Sequence, residues 1–442
     1  MTWSPSSWRT RPAAQQPVYA DPIAVDRAIG RVRALPPLVV SGEIEQLKAS
    51  LAAAQEGRAF VLHGGDCAER FADCERDAIV RKLKILLQMG LVLAHAARRP
   101  IVRIGRIAGQ YAKPRSQPTE TIEGLELPVY RGDLVNGIEP EPATREPDPA
   151  RLVEGYFSAA ATLNFMRALV EGGFADLRHP DQWRLSFMEK SANFPAFQAI
   201  ADRISDAIDF MDSAFGVNRV HLERSDLYTS HEGLILPWEE AFTVRPPRRE
   251  RYYDLSAHFL WIGDRTRQLD GAHVELFRGI ANPIGIKVGP ALSPEDLIRL
   301  IEVLSPDDEP GRLTLITRYG EAEIENYLPA HIEAVKRAGR RVLWSVDPMH
   351  GNAIRTKSGL KTRSFDAILG ELRQAFVIHD RCGTLLGGVH FELTGDDVTE
   401  CIGGAQGLVE SDLTRSYETG CDPRLNYGQA LELAFLAAEM MR

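Results

Sequence analysis

Residues 106–116, RIAGQYAKPRS, gather Arg106, Lys113, Arg115 and Ser116 around Gly109 and Pro114. An arginine fork matches a planar carboxylate or phosphate, and a lysine acts as a compact point charge. Gly109 lets backbone come close, and Pro114 stiffens the turn before Arg115 and Ser116. Such a loop suits a phosphate held by side chains and backbone N–H groups together. Other cations follow or sit within apolar runs: Arg265 after HFLWIG, Lys287 in IGIKVG and Arg318 after RLTLIT, with Asp264 next to Arg265. Any one of them alone reads as a solvated loop residue. Four cations at equivalent positions, Arg106 included, point to a shared anionic ligand. Two anion pockets are expected, one common to these four residues and one at the 106–116 loop.

A second set of residues has the chemistry of metal ligands: Cys67 in GGDCAE, His350 in DPMHGN, Glu392 in GVHFEL and Asp422 in GCDPR. Their spacing carries no zinc-type signature. Taken singly, Cys67 reads as a small buried apolar residue and Glu392 as half of a structural ion pair. As a group, a thiol, an imidazole and two carboxylates suit Mn²⁺, Fe²⁺, Co²⁺ or Zn²⁺. Asp347, three residues before His350, is placed to orient that imidazole. Cys74, Cys382 and Cys401 read as structural.

The elements that must position these residues follow from hydrophobic patterning. Eight short β-rich runs are expected to be strands: 60–63, 101–105, 219–223, 258–263, 284–289, 312–317, 341–346 and 388–393. Helical patterns lie between them at 76–97, 151–172, 182–215, 293–304, 321–338 and 364–378, with a last one at 427–441. Runs apolar on both faces indicate strands buried on both sides, hence a parallel sheet. Eight such strands, each followed by a helix, make a (β/α)8 TIM barrel, whose chemistry sits at the C-terminal ends of its strands. A doubly wound open sheet accounts for the same alternation. Residues 1–57 read as an N-terminal extension and 58–442 as the barrel domain. The long interval between the second and third strands is assigned extra helices, about 151–215.

The chain has 442 residues and a net charge of −9, so nothing in the whole draws it to nucleic acid or to an anionic membrane. No stretch approaches the ~18 apolar residues of a membrane span, and the first residues lack the apolar core of a signal peptide. Five cysteines in so long a chain fit reduced thiols better than a disulfide framework. A cytoplasmic enzyme is expected.

The motifs GGDCAERF, RIAGQYAKPRS, YRGDLVNG, SAHFLWIGDRTRQLDGAHVE, RGIANPIGIKVGP, GRLTLITRYG, DPMHGN, GGVHFELTG, VTECIGGAQ and YETGCDPRLN together resemble the class II (plant-type) 3-deoxy-D-arabino-heptulosonate 7-phosphate (DAHP) synthases. The resemblance runs from about residue 34 to the C-terminus. It implies a (β/α)8 barrel that condenses phosphoenolpyruvate with erythrose 4-phosphate and releases phosphate, opening the shikimate pathway of aromatic biosynthesis. By motif match, a divalent metal, Mn²⁺ or Co²⁺ foremost, would bind Cys67, His350, Glu392 and Asp422. Phosphoenolpyruvate would meet Arg106, Arg265, Lys287 and Arg318, with Asp264 beside them. Lys113, Arg115 and Ser116 would hold the aldose phosphate. A homo-oligomer and a chorismate mutase partner are also implied.

The chain departs from the family pattern at four places. The family has Glu where this sequence has Asp264, Gln at His63, Met at Tyr319, and His-Pro at Leu385-Leu386. An amino variant that accepts an imine of erythrose 4-phosphate is therefore an alternative, to be decided by the pocket around Asp264, Tyr319 and Leu385. Two further readings are a catalytically idle regulatory subunit and a metal-dependent hydrolase on the same barrel. The N-terminal extension is shorter than in many relatives, where such extensions contribute to subunit interfaces and feedback sites, so weaker feedback is expected. Apolar residues at Phe187, Phe194, Phe197, Ile200 and Ile204 recur near helical spacing and suit packing on the barrel or a subunit interface.

Overall fold

Strands that are apolar on every residue cannot leave a face in water, and here they close on one another. The computed structural model describes residues 3–122, 124–174, 195–203, 206 and 227–441. Eight parallel strands form a closed barrel: β1 (Phe60–Gly65), β2 (Ile101–Arg106), β3 (Leu227–Glu232), β4 (Phe259–Ile262), β5 (Ile284–Val288), β6 (Leu313–Thr317), β7 (Leu343–Val346) and β8 (Leu386–Glu392). Each strand pairs with its sequence neighbours, and β8 returns to β1 with Val61 opposite Gly388 and Gly65 opposite Glu392. The expected (β/α)8 barrel is the observed fold.

Seven of the eight strands lie where the hydrophobic runs placed them. The third does not: β3 is Leu227–Glu232, four residues past the expected 219–223, and that run lies outside the described residues. The segment LYTSHE carries a serine, a histidine and a glutamate on a barrel strand, so it lacks the apolar signature that identified the others. Ser230 bonds to His63 inside the barrel and Glu232 lines the cavity, while Thr229 and His231, on the other face, bond to His258 and Glu239.

The outer helices include α1 (Pro22–Arg33) and α2 (Ser41–Gln55) before the barrel, α3 (Arg76–Ala97) after β1 and α4 (Ala150–Glu171) between β2 and β3. The later ones are α5 (Leu236–Phe242), α6 (Ala272–Phe277), α7 (Pro294–Leu304), α8 (Ile324–Arg337), α9 (Phe365–Arg381) and α10 (Tyr427–Met440). Local chemistry explains their starts. In α7 the Ser293 hydroxyl caps the N–H of Asp296 at 3.1 Å, a proline occupies the first turn, and Leu297, Leu300, Ile301 and Leu304 form the buried stripe.

Helix α2 closes the floor of the barrel. Its Leu47, Leu51 and Ala54 pack with Val61, Val102, Ile104, Phe259, Trp261, Ile316 and Leu343 in one buried cluster. Part of the N-terminal extension therefore completes the barrel core, and only the C-terminal end of the barrel is left open for chemistry. Of the apolar residues singled out in 182–215, Phe197 is buried in the main core and Ile200 packs against it. Phe187, Phe194 and Ile204 lie outside the described residues.

Candidate active site

At the open end, the strands deliver their terminal side chains into one cavity of about 520 Å³. Its walls carry Arg106 from the end of β2, Lys113, Arg115 and Ser116 from the loop after it, and Glu232 from the end of β3. Asp264 and Arg265 follow β4, Lys287 lies on β5, Arg318 follows β6, and His350 and Asp422 complete the far wall. All the cations singled out from sequence are thus brought together. They share one cavity rather than two pockets, and Arg265 Nη2 donates to Ser116 Oγ at 2.6 Å where the two sets meet.

The 106–116 loop is held from beneath. Both carboxylate oxygens of buried Glu69 accept from its backbone: Oε1 from Ala108 N at 3.2 Å, and Oε2 from Gly109 N and Gln110 N at 3.0 Å each. The loop's next brace comes from the N-terminal segment, where Gln15 Oε1 accepts from Arg115 N at 2.9 Å. Gly109 is required sterically, because a Cβ there would stand 2.7 Å from His231 Nδ1.

At the foot of the cavity, Arg106 lies over Trp261 at 5.2 Å from the ring and donates through Nη2 to Glu392 Oε1 and Cys67 O, both at 3.0 Å. Lys287 is ion-paired with buried Asp347 and stands 6.0 Å over the same Trp261 ring. Burial pulls the Lys287 ammonium down to about 8 despite the opposing charge of Asp347. Asp264 is ion-paired to Arg267 at 2.6 Å and to Arg318 at 3.3 Å. The Arg318 Nη2 also donates to His350 O at 3.2 Å, joining the anion-binding side of the cavity to the metal-ligand side.

The four proposed metal ligands converge. Ligand atoms of Cys67, Glu392 and Asp422 lie within 4.8 Å of one another. His350 Nε2 joins them at 3.1 Å from Glu392 Oε1 and 3.9 Å from Asp422 Oδ2. The expected orienting partner is in place, with Asp347 Oδ2 2.7 Å from His350 Nδ1. Positive charge already sits among these atoms: Lys113 Nζ is 3.0 Å from Glu392 Oε1, 3.0 Å from Asp422 Oδ2 and 3.4 Å from His350 Nε2. Burial alone would raise the Glu392 carboxyl, but His350, Lys113, Arg363 and Arg106 hold it well below its ordinary range. A thiol, an imidazole and two anionic carboxylates that already enclose a cation fit a divalent metal.

A thiol at the barrel mouth would be open to oxidation in the absence of metal, but Cys67 is fully buried. Burial, then its contact with Cys421 and the charge of Glu392, push it well above the ordinary thiol range, so it stays protonated.

Two of the four departures from the family pattern do not reach the cavity. Tyr319 turns into the core, its hydroxyl hydrogen-bonded to His331 Nδ1 at 2.8 Å and its ring stacked on Tyr327. Leu385 is exposed just before β8, at the opposite end of the barrel from the site. Asp264 lines the cavity, and His63 lies deeper in the barrel, joined to Arg106 through His390.

Several functional residues were missed from sequence. Glu232 was hidden by the misplacement of β3. It is buried, lines the cavity, and is pushed up by burial against the pull of Lys113, Lys287, Arg106 and Arg265. Arg363 Nη2 donates to Glu392 Oε2 at 2.8 Å, and Lys361 pairs with Asp422. Both come from a hairpin of Ala353–Arg355 with Lys361–Arg363, too short to show in a periodicity.

A family model described as the class-II DAHP synthetase family matches residues 3–438. A Neurospora crassa phospho-2-dehydro-3-deoxyheptonate aldolase is 49% identical over 457 aligned residues, covering 100% of this chain and 94% of that protein. A Streptomyces coelicolor protein of the same name is 50% identical over 437, covering 99% and 97%. The phospho-2-dehydro-3-deoxyheptonate aldolase AroG of Mycolicibacterium smegmatis is 47% identical over 437, covering 98% and 93%.

Proposed function

The chain belongs to the class-II DAHP synthetase family, and on that premise we propose how its cavity divides the work of the reaction. The enzyme is a transferase that condenses phosphoenolpyruvate with erythrose 4-phosphate, the entry to aromatic biosynthesis. The relatives give no support to an imine acceptor. The observation that carries the assignment of roles is the single cavity in which Arg106, Arg265, Lys287 and Arg318 stand beside Lys113, Arg115 and Ser116.

Arg106, Arg265, Lys287 and Arg318 hold the carboxylate and phosphate of phosphoenolpyruvate at the strand ends. Arg115 and Ser116, with Lys113 between them and the metal ligands, hold the phosphate end of the aldose. Two anions fixed in this way present the enol carbon to the aldehyde carbon, which removes most of the entropic cost of their encounter. The new bond joins the methylene carbon of phosphoenolpyruvate to the aldehyde carbon, whose oxygen takes a proton. Water then bonds to the carbon that carries the phosphate, and phosphate leaves by cleavage of that C–O bond. The cations stabilise charge that develops on the leaving phosphate.

A divalent metal belongs to this family's chemistry, and Cys67, His350, Glu392 and Asp422 would hold it. When bound it supplies Lewis-acid polarisation of the aldehyde carbonyl. Mn²⁺ or Co²⁺ is the proposed ion on the family resemblance, and the mixed sulfur, nitrogen and oxygen donor set is compatible with both. Lys113, which stands among these ligand atoms and also lines the cavity, would then be free to serve the aldose phosphate. Asp264 is engaged by Arg267 and Arg318, whereas Glu232 sits in the cavity with its carboxyl pushed up. Glu232, which lines the cavity and whose buried Oε1 has no hydrogen-bond partner among the described residues, is therefore assigned the proton of the attacking water in place of Asp264.

The enzyme is proposed to act in the cytoplasm as a homo-oligomer. Among the described residues no helix is long and apolar enough to cross a membrane. Val18 and Ile23 on the N-terminal segment and Phe157 on α4, against which α1 packs, are exposed apolar residues suited to a symmetric contact. A chorismate mutase partner remains part of this proposal on the family resemblance alone. The test of the central reading is incubation with both substrates and Mn²⁺, following loss of phosphoenolpyruvate absorbance and release of phosphate. Both signals should require erythrose 4-phosphate; release of phosphate without it would favour a hydrolase.

A further inference from the structure

Beneath the cavity, Arg106 begins a chain of hydrogen bonds that runs through the barrel interior and ends on the main chain. Arg106 Nη1 is 2.9 Å from His390 Nε2, and His390 Nδ1 is 2.9 Å from His63 Nδ1. His63 Nε2 is 2.7 Å from Ser230 Oγ, and the Ser230 hydroxyl donates to Gly105 O at 2.9 Å. All four side chains are buried, at 0–2% exposure, and neither histidine lines the cavity. The rings of His63 and His390 meet edge to face, and Trp261 packs edge-on against both.

Only one arrangement of protons satisfies this chain. A guanidinium can only donate, so His390 Nε2 must accept and the His390 proton resides on Nδ1. That proton points at His63 Nδ1, which must therefore accept, placing the His63 proton on Nε2 toward Ser230. The serine hydroxyl accepts it and passes its own hydrogen to the carbonyl of Gly105. Both rings are neutral, and every donor in the sequence has an acceptor. In the other tautomer of His390, an N–H would face the N–H of Arg106, and the guanidinium would be pushed out of place.

We propose that His63, acting through His390 with Ser230 as its anchor, is a positioning residue that fixes the guanidinium of Arg106 for phosphoenolpyruvate. The proposal rests on the role given above to Arg106. The other contacts of Arg106 leave this one decisive: Nη2 is tied to Glu392 and Cys67 O on the metal-ligand side, and Nε has no hydrogen-bond partner. His390 is thus the support that sets the ring-side Nη1, and His63 is the residue that makes His390 an acceptor there.

The variants are His63→Leu, His63→Gln and Ser230→Ala, with Arg106→Gln as the reference. Leucine removes both the acceptor and the donor of residue 63. Glutamine keeps one of each on a planar group. Alanine at 230 removes the hydroxyl that holds the His63 proton on Nε2. His63→Leu and Ser230→Ala should raise KM for phosphoenolpyruvate about tenfold, the scale of one charge-assisted hydrogen bond, with KM for erythrose 4-phosphate within about twofold of wild type by the same scale. His63→Gln should restore most of the loss. Long-range ¹⁵N spectra of histidine-labelled wild-type enzyme should show His390 protonated on Nδ1 and His63 on Nε2, and Ser230→Ala should change that pattern at both rings. An unchanged phosphoenolpyruvate KM in a folded Ser230→Ala or His63→Leu enzyme, or the opposite tautomers in the wild type, overturns the inference. If Arg106→Gln also leaves that KM unchanged, the role of Arg106 itself is what fails; if Arg106→Gln raises it and the other variants do not, only the positioning chain fails.

Discussion

Replacing Gly109 with alanine probes how rigidly the 106–116 loop is set. A Cβ at this position would lie 2.7 Å from His231 Nδ1 and 3.3 Å from its Cγ, well inside van der Waals contact. His231 has little room to yield: it is buried, and its Nε2 is 3.0 and 3.2 Å from the two oxygens of Glu239. If the loop yields instead, Glu69 loses hydrogen bonds from Gly109 N and Gln110 N, each 3.0 Å long and each made to a carboxylate. Overpacking of this kind costs about 1–3 kcal/mol, and each bond to a charged acceptor about 1.5–3 kcal/mol. Full loss of both bonds would cost more than the overpacking itself, so the loop is expected to shift only far enough to stretch them, with a loss in both stability and substrate binding. Gly109→Ala should lower Tm by a few degrees and raise KM for erythrose 4-phosphate about tenfold. Gly42→Ala on α2, where the added methyl meets nothing within 4 Å, is the control and should leave KM unchanged and Tm no lower. A Gly109→Ala enzyme with wild-type Tm and wild-type KM would refute the idea that Glu69 and His231 fix the loop.

Exhaustive chelation should abolish turnover, and Mn²⁺ or Co²⁺ should restore it; activity that survives EDTA would remove the metal from the reading. Cys67→Ala should weaken metal affinity, measured by titration calorimetry, while circular dichroism stays native. Arg318→Ala should chiefly raise KM for phosphoenolpyruvate, and Arg115→Ala that for erythrose 4-phosphate, each about tenfold or more; equal effects on both substrates would mean that the two ends of the cavity are not distinct. Lys287, held at about 8 by burial, is charged below that pH and neutral above it. KM for phosphoenolpyruvate should therefore climb as pH rises through about 8, and Lys287→Arg should flatten that limb; a flat wild-type profile to high pH would count against the role of Lys287. Because the folded value lies below that of the unfolded lysine, the unfolded chain binds the extra proton between the two. The stability cost of this lysine is therefore full below about 8 and is relieved as pH rises beyond it.

The barrel was legible because its strands are buried on both faces, and a run such as IGIKVG or RLTLIT has few other physical uses. The cations were legible for a related reason: each directly follows or interrupts such a run, so strand position alone predicts that they meet. β3 escaped because it carries buried polar residues on both faces. Thr229 and Ser230 are fully buried hydrogen-bonding groups, and Glu232 faces the cavity, so the strand that brings most chemistry to the interior looks least like a strand. What sequence alone hides is coupling between distant residues: Glu69 beneath the loop, Gln15 bracing it from the N-terminal segment, and Arg363 reaching Glu392 from a short hairpin. No periodicity encodes such contacts, because each is a single side chain crossing between elements.

The same distinction sorts the departures from the family pattern. Tyr319 spends its ring on Tyr327 and His331, and Leu385 lies at the far end of the barrel, so neither can select an acceptor. Asp264 and His63 are the two that act on the substrate cations, Asp264 by pairing with Arg318 and His63 through His390 to Arg106. Both arginines are assigned to phosphoenolpyruvate. What distinguishes this chain is therefore concentrated on how the phosphoenolpyruvate end of the cavity is held, while the aldose end keeps the KPRS loop unchanged. A change of acceptor would require the reverse distribution.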